Sequence, residues 1–284
     1  MSSPSASLLR YAAFTTDPSQ GNPAGVVLDA GALDESQMLR IARDIGYSET
    51  AFLTRRRATG EFDVRYFSPE AEVPFCGHAT VAAGVALAER YGPGALIFHI
   101  QAGPVSLDTQ RLASGLLSTS LTSISPHIED VAGDTVTAAL AALRWREDEL
   151  DAGLPPRIAY AGARHLILAA ASRTRLGELE YDFEALRALM IDADLTTVDL
   201  VWRERDELYH ARNPFPVGGI YEDPATGAGA AAFGGYLRAL GLIETPGQVM
   251  ILQGEDMGRP SRIFLEIPAG HEGIRVTGTA VPIV

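Results

Sequence analysis

Ten successive residues, Ala79-Thr80-Val81-Ala82-Ala83-Gly84-Val85-Ala86-Leu87-Ala88, carry no charge and no large polar group. A helix over this run is apolar or small on every face, and such a helix belongs inside a domain rather than on its surface. The run follows Cys76-Gly77-His78, which places Gly77 and His78 in the first turn. A buried helix presents unpaired backbone N–H groups and the positive end of its dipole at its start, so the stretch 74–89 reads as a helix with an anion site at its mouth.

A second stretch has the same build. Thr226-Gly227-Ala228-Gly229 can be laid over Cys76-Gly77-His78-Ala79 without a gap, and Ala232, Gly234 and Leu237 then fall on Ala82, Gly84 and Leu87. Phe67 precedes the first stretch and Phe215 the second at nearly equal distances. A length of 284 residues accommodates two domains. The pattern predicts two domains, each a curled sheet around one buried helix, with both helix starts at an interdomain cleft suited to a carboxylate. The Ser/Thr-rich run 118–125, ended by Pro126, is the candidate boundary.

The remaining punctuation is that of short strands with a few helices. Asp34 is placed to cap a helix carrying Met38, Ile41 and Ile45, with Gly46 to close it. Strands are expected at 8–14, 25–28, 51–54, 62–67, 95–100, 104–109 and 116–121. In the second half the pattern predicts strands at 157–160, 165–171, 197–202, 208–212, 249–253, 262–267 and 273–280, and helices near 135–143 and 183–191.

Composition excludes several chemistries. All 23 basic residues are Arg, so no lysine is present to form a Schiff base with pyridoxal phosphate or to serve a P-loop. With 36 acidic residues the net charge is −13, which argues against nucleic acid as a partner. Arg55-Arg56-Arg57 is the one dense basic cluster and reads as a solvated turn. No apolar run reaches the roughly 20 residues of a membrane span and no signal-peptide pattern opens the chain, so no membrane association and a cytoplasmic location are expected. The single Cys76 rules out an internal disulfide.

Gly227-Ala228-Gly229-Ala230-Ala231-Ala232 satisfies the glycine spacing of a dinucleotide fingerprint, but Glu222-Asp223-Pro224 breaks the strand that such a site needs before it. His78, in the first turn of a charge-free helix, is a candidate for function as a neutral donor or acceptor. His99, His127, His165, His210 and His271 are scattered without metal-ligand spacing, so no metal site is expected. Glu49 precedes an apolar strand, where shielding from water suits a carboxylate to acid–base work; a turn-capping role is its alternative. Asp223 stands between a turn role and a chemical one. Cys76 stands between a reactive thiolate and a buried small hydrophobe.

Several of these motifs occur together and in order: Phe14-Thr15, Gly21-Asn22-Pro23-Ala24-Gly25-Val26, Ser48-Glu49-Thr50-Ala51-Phe52, Cys76-Gly77-His78-Ala79-Thr80, Glu222-Asp223-Pro224-Ala225-Thr226-Gly227, and Gln253-Gly254 with Gly258-Arg259-Pro260-Ser261. In this the chain resembles, nearly end to end, the PhzF-like family of phenazine-biosynthesis-type isomerases, which share the fold of diaminopimelate epimerase. The resemblance implies an α+β fold of two similar domains, each a curled, mostly antiparallel sheet around a central buried helix, with the active site between them. Residues 1–122, completed by a C-terminal strand at 273–284, would form the first domain and 123–272 the second.

It further implies a cofactor-independent proton shift on a small carboxylated substrate, with Glu49 as general acid/base and His78 and Asp223 lining the site as catalytic residues. Backbone N–H groups at Gly77, His78, Gly227 and Ala228 would hold the carboxylate, and Cys76 and Asn22 lie in the matching motifs beside them as substrate-binding residues. A homodimer is implied as well. One departure stands out: family members usually follow Asp-Pro-x-Thr-Gly with Ser-Ala, where this chain has Ala228-Gly229, so a substrate-binding hydroxyl is missing. Two alternatives accompany the isomerase reading, an amino-acid or imino-acid racemase or epimerase and a ligand-binding protein without turnover.

Overall fold

The structure, a computed structural model, describes residues 7–101 and 103–284. It is a mixed α+β protein in which strands far outnumber helices. The chain divides into two compact units, one ending at Thr122 and taking back Thr277–Val284, the other formed by Ser123–Val276.

The first unit contains β1 (Leu8–Ala13), β2 (Asn22–Val27), helix α1 (Glu35–Ile45), β3 (Glu49–Arg55), β4 (Glu61–Phe67), the two-residue β5 (Glu72–Val73), helix α2 (Gly77–Tyr91), β6 (Ala95–Ile100), β7 (Gly103–Arg111) and β8 (Leu117–Thr122). The strands follow the order β1-β2-β3-β4-β6-β7-β8, and the C-terminal strand Arg275–Pro282 pairs with both β8 and β1, which closes the sheet into a barrel. Helix α2 fills it. Every residue from His78 to Ala88 is buried, as the charge-free run requires, and the helix lies against β1, β2, β3, β7 and β8.

Close approach sets the composition on both sides of that contact. A Cβ on Gly84 would lie 2.5 Å from Thr119 Oγ1, so a helix with Ala at this point could not sit where α2 sits. The same contact explains why the Ser/Thr-rich run at 118–125 is not all connection. Leu117–Thr122 is a strand with Ser118, Thr119 and Ser120 buried, and Ser120 Oγ meets Thr277 Oγ1 at 2.7 Å. Small hydroxyl side chains fit under a tightly packed helix; Ser120 finds a partner for its oxygen there, while Thr119 Oγ1 is buried without one.

Strand β2 starts at Asn22, three residues before the expected Gly25, and includes Pro23. Its parallel partner β3 meets it only from Ala24 onward, so the missing N–H of Pro23 interrupts nothing on that side. Outside the barrel, α1 opens on a capping box: Asp34 accepts from Gln37 N, and the Gln37 side chain accepts from Asp34 N, both at 2.8 Å. Gly46 closes it in the left-handed region at φ 68°. Met38 and Ala42 pack over Val27, Phe52 and Phe67.

The second unit contains β9 (His127–Glu129), α3 (Gly133–Leu143), β10 (Arg157–Tyr160), β11 (Arg164–Ala169), α4 (Arg173–Gly177), α5 (Phe183–Asp192), β12 (Thr197–Arg205), β13 (Leu208–Arg212), the small pair β14 (Pro214–Phe215) and β15 (Ile220–Glu222), α6 (Gly227–Ala239), β16 (Gly247–Gln253), β17 (Ser261–Ile267) and the start of β18 (Arg275–Pro282). Its sheet runs β17-β16-β13-β12-β11-β10-β9. Helix α6, buried from Gly229 to Leu237, lies on one face against β9, β10, β11 and β17. On the other face α3 and α5 press Leu140, Leu143, Leu186 and Met190 onto Ile158, Leu166, Leu168, Val198 and Leu200. Successive residues of a strand point to opposite faces, so His165, Thr197 and Asp199 point toward α6. The sequence pattern missed α4, β5, β9 and the β14–β15 pair, each five residues or fewer and too short to show a period.

Candidate active site

Strand β3 begins at Glu49, paired in register with Ala24 of β2, and β4 lies on its other side. This end of the sheet delivers Glu49 to the start of α2, where Cys76 is the N-cap residue and His78 the second residue of the helix. Cys76 makes no side-chain capping bond; its Sγ donates to Glu49 Oε2 at 3.5 Å and meets His78 Nδ1 at 3.3 Å. His78 Nε2 lies 3.5 Å from Glu49 Oε2 and 3.3 Å from Ser48 Oγ. The His78 side chain is 5% exposed and that of Glu49 16%, so the carboxylate is the more open member of the group.

One proton assignment serves the hydrogen-bonded contacts in a chain. Ser48 O–H donates to His78 Nε2, His78 Nδ1–H donates to Cys76 Sγ, and the thiol donates to Glu49. A further proton arriving at Glu49 has His78 Nε2 within reach. The arrangement suits a carboxylate that takes a proton from a carbon and gives it back, with an imidazole and a thiol to spread the load.

Behind the site the backbone of Cys76 is tied down. Thr80 Oγ1 donates to Cys76 O at 2.7 Å, and the buried Tyr66 hydroxyl completes the series to Thr80 Oγ1 at 2.6 Å. Because the Thr80 proton is committed to Cys76, Tyr66 is the donor, and burial holds its phenol well above the ordinary tyrosine range. The first helical bond runs from Thr80 N to Cys76 O at 3.0 Å, so the N–H groups of Gly77, His78 and Ala79 stand outside the helix's own ladder. Asn22, also buried, is the first residue of β2 and lies opposite Ala13 of β1.

The remaining expected residues belong to the second unit. Asp223 is buried and accepts from Thr226 Oγ1 at 2.6 Å. Gln253 of β16 braces the turn, its Nε2 donating to Asp223 O at 2.7 Å and its Oε1 accepting from Thr226 N at 3.1 Å. The first bond of α6 runs from Ala230 N to Thr226 O at 2.9 Å, which leaves the N–H groups of Gly227, Ala228 and Gly229 at the helix start. Gly227 and Ala228 are half-buried.

Two features escaped the sequence. The absence of metal-ligand spacing considered neighbours along the chain, but the fold brings Glu49 to Cys76 and His78, and one donor atom of each lies within 4.8 Å of the others. A sulfur, a ring nitrogen and a carboxylate oxygen can hold a zinc-type ion, so the trio is a possible ligand set as well as an acid–base set. The other is Asp199, which lies fully buried beside Asn213 at the start of α6. Its signal was a lone acid at an inward position of the apolar strand Thr197-Val198-Asp199-Leu200-Val201. The other histidines have protein partners, with Glu61 for His99, Glu129 for His127, Thr197 for His165, and both Glu204 and Glu255 for His210, while His271 is exposed.

Residues 11–284 match the family model described as phenazine biosynthesis-like protein, PhzC-PhzF. The chain belongs to this family. It is 32% identical over 290 residues to an uncharacterised isomerase of Bacillus subtilis, covering 97% of this chain and 96% of the relative. It is 30% identical over 252 residues to the trans-2,3-dihydro-3-hydroxyanthranilate isomerase of Pseudomonas chlororaphis, covering 89% of this chain and 87% of that enzyme. Among solved structures, the phenazine biosynthesis protein of the PhzF family from Bacillus anthracis superposes with a TM-score of 0.87 at 25% identity, over 98% of this chain and 96% of that one. A probable proline racemase of Agrobacterium radiobacter K84 shares the fold, with a TM-score of 0.68 at 12% identity over 96% of this chain and 90% of that one. The family is thus isomerase-like, and the relatives bearing an activity name are isomerases. No helix among the described residues is long and apolar enough to cross a membrane.

Proposed function

We propose that this PhzF-family protein is an isomerase that moves a proton between carbons of a small carboxylated substrate, with Glu49 as the general acid/base. The observation that carries the reading is the convergence of Glu49, Cys76 and His78 at the start of α2. Glu49 takes the proton from a carbon made acidic by a neighbouring carboxylate or conjugated system. His78 and Cys76 hold the hydrogen-bond chain while Glu49 is protonated, and the proton returns to a second carbon. Backbone N–H groups of Gly77 and His78 favour the negative charge that builds up. In the second unit, the N–H groups of Gly227 and Ala228 are proposed to bind a carboxylate, with Asp223 as the charged residue at that helix start; in the first unit, Asn22 of β2 is proposed as a further polar contact.

Ala228 replaces the hydroxyl usual in the family, so the preferred substrate is expected to differ from that of the anthranilate isomerases in how its carboxylate is held. The test is hydrogen exchange in D2O with trans-2,3-dihydro-3-hydroxyanthranilate and a panel of other carboxylates. Exchange by the wild type and its loss in Glu49→Gln support the reading. Equal exchange by both proteins, with folding intact, removes Glu49. Return of the proton to its original carbon with loss of optical rotation would make the protein a racemase. That outcome would need a second base other than a thiol, because the residue aligned with Cys76 is Thr226. A chelator that abolishes exchange would move the trio from acid–base work to metal ligation.

A further inference from the structure

Asp199 is a buried carboxylate for which this mechanism has no use. It stands in β12 between Val198 and Leu200, which face the α3/α5 layer, so its side chain is directed to the opposite face, toward α6. The contact is close: a Cβ on Gly229, in the first turn of α6, would lie 2.6 Å from Asp199 Oδ2. Glycine at 229 makes room for the carboxyl.

The side chains around Asp199 do little to support a charge there, which leaves the start of α6 as the element that favours one. Asn213, which follows β13, contacts Asp199 Oδ1 through Nδ2 and also reaches Thr197 Oγ1 at 3.1 Å. Thr197 Oγ1 in turn meets His165 Nδ1 of β11 at 2.7 Å. Asn213 Oδ1 and His165 Nε2 are buried without a hydrogen-bond partner. The charge that acts on Asp199 is that of Asp223, which has the same sign. Burial pushes the Asp199 carboxyl up to about 7, the nearby Asp223 pushes it the same way, and the Asn213 amide pulls it back. His165, fully buried, is pushed down to about 4 and stays neutral beside it.

We propose that Asp199 is a positioning residue of the α6 start: it carries a proton while a substrate carboxylate is bound there and, once ionised, competes with that carboxylate for the same positive helix end. A negative charge beneath the first turn offsets the dipole that attracts an anion, whereas a neutral carboxyl leaves it available. Linkage makes the effect reciprocal, so an anion bound at the α6 start favours the protonated form of Asp199. The proposal rests on the reading that the α6 start binds a carboxylate.

Two measurements on the full chain test it. With trans-2,3-dihydro-3-hydroxyanthranilate as probe, the wild-type KM should climb by up to about tenfold per pH unit above roughly pH 7. Asp199→Asn, which cannot ionise, should keep KM level over the same range, with the difference between the proteins carried by KM rather than kcat. Parallel KM profiles overturn the proposal. Independently of turnover, 13C NMR of the aspartate carboxyls in the wild type should show a resonance with a midpoint near 7 that disappears in Asp199→Asn and moves upward when the probe is bound. A midpoint in the ordinary aspartate range overturns the proposal whatever the kinetics. A probe that is neither bound nor turned over counts against the isomerase reading, and the carboxyl titration then decides Asp199 alone.

Discussion

At the start of α2 a carboxylate, a thiol and an imidazole meet at 3.3–3.5 Å, whereas at the start of α6 Asp223 is engaged by Thr226 and framed by Gln253. Both helices leave the N–H groups of their first three residues outside the helical ladder. Both also begin with a glycine and run through a buried core. The backbone therefore offers the same anion-favouring element twice, and the side chains give it two characters. The first start carries a carboxylate, a thiol and an imidazole within reach of one another. The second carries a braced turn and, beneath it, a carboxylate that burial keeps neutral up to about pH 7. A helix start by itself favours an anion; the proposed proton chemistry needs side chains that converge, as they do at α2.

Removing the Glu49 carboxylate is the harshest way to break that contrast. Glu49→Gln should lower proton exchange by about 10²–10⁴-fold, the usual scale of general acid–base catalysis, whereas Asp223→Asn should act mainly on KM. A comparable loss of kcat in both variants, read from steady-state rates, would mean that the two starts share the chemistry.

A second contrast lies in stability against pH. Between the ordinary 3.8 of aspartate and about 7, folded Asp199 holds a proton that the unfolded chain has lost, so its contribution falls as pH rises. His165 does the opposite: between about 4 and 6.5 the unfolded chain holds a proton that the buried ring refuses, so its contribution rises with pH. The two slopes, each about 1.4 kcal/mol per pH unit, cancel over most of that window. Asp199→Asn should expose the His165 slope as a gain on the order of 3 kcal/mol from pH 4 to 6.5 relative to wild type, read from urea unfolding at each pH.

Gly84→Ala and Gly229→Ala each force a Cβ to within about 2.6 Å of a neighbour, Thr119 in one unit and Asp199 in the other. Each should cost about 1–3 kcal/mol in denaturant unfolding. Thr119→Ala should relieve the first and Asp199→Ala the second, but not the reverse. Thr80→Val, which unties Cys76 O from Tyr66, should cost about 1 kcal/mol or somewhat more and lower the exchange rate through a looser Cys76. The mildest change is Ala228→Ser. Adding a hydroxyl at the α6 start should alter KM for a carboxylated substrate by less than about tenfold, the worth of one hydrogen bond, with kcat nearly constant.

Much of this was legible in the chain because it is local. The charge-free run 79–88 demanded burial, and Asp34 and Gly46 marked the ends of α1. Polar residues in buried strands were not legible. Ser118, Thr119 and Ser120 have the composition of a loop, and only the neighbouring Gly84 and Thr277 show why hydroxyls suit that strand. Asp199 was hidden for the same reason, since nothing in Thr197-Val198-Asp199-Leu200-Val201 says that a glycine 30 residues later will make space for a carboxyl. The convergence of Cys76 with Glu49 depends on the register of β3, which spacing along the chain does not reveal.

The strand that closes the first barrel comes from the far end of the polypeptide. β1 and β8 both wait for Arg275–Pro282, so while the chain is being synthesised the sheet around α2 has two unpaired edges. The unit carrying Glu49, Cys76 and His78 cannot be completed until the whole of the second unit has left the ribosome. A nascent chain stalled just short of residue 275 should therefore hold a folded second unit and an unfinished first one, so the surroundings of Glu49, Cys76 and His78 are completed last.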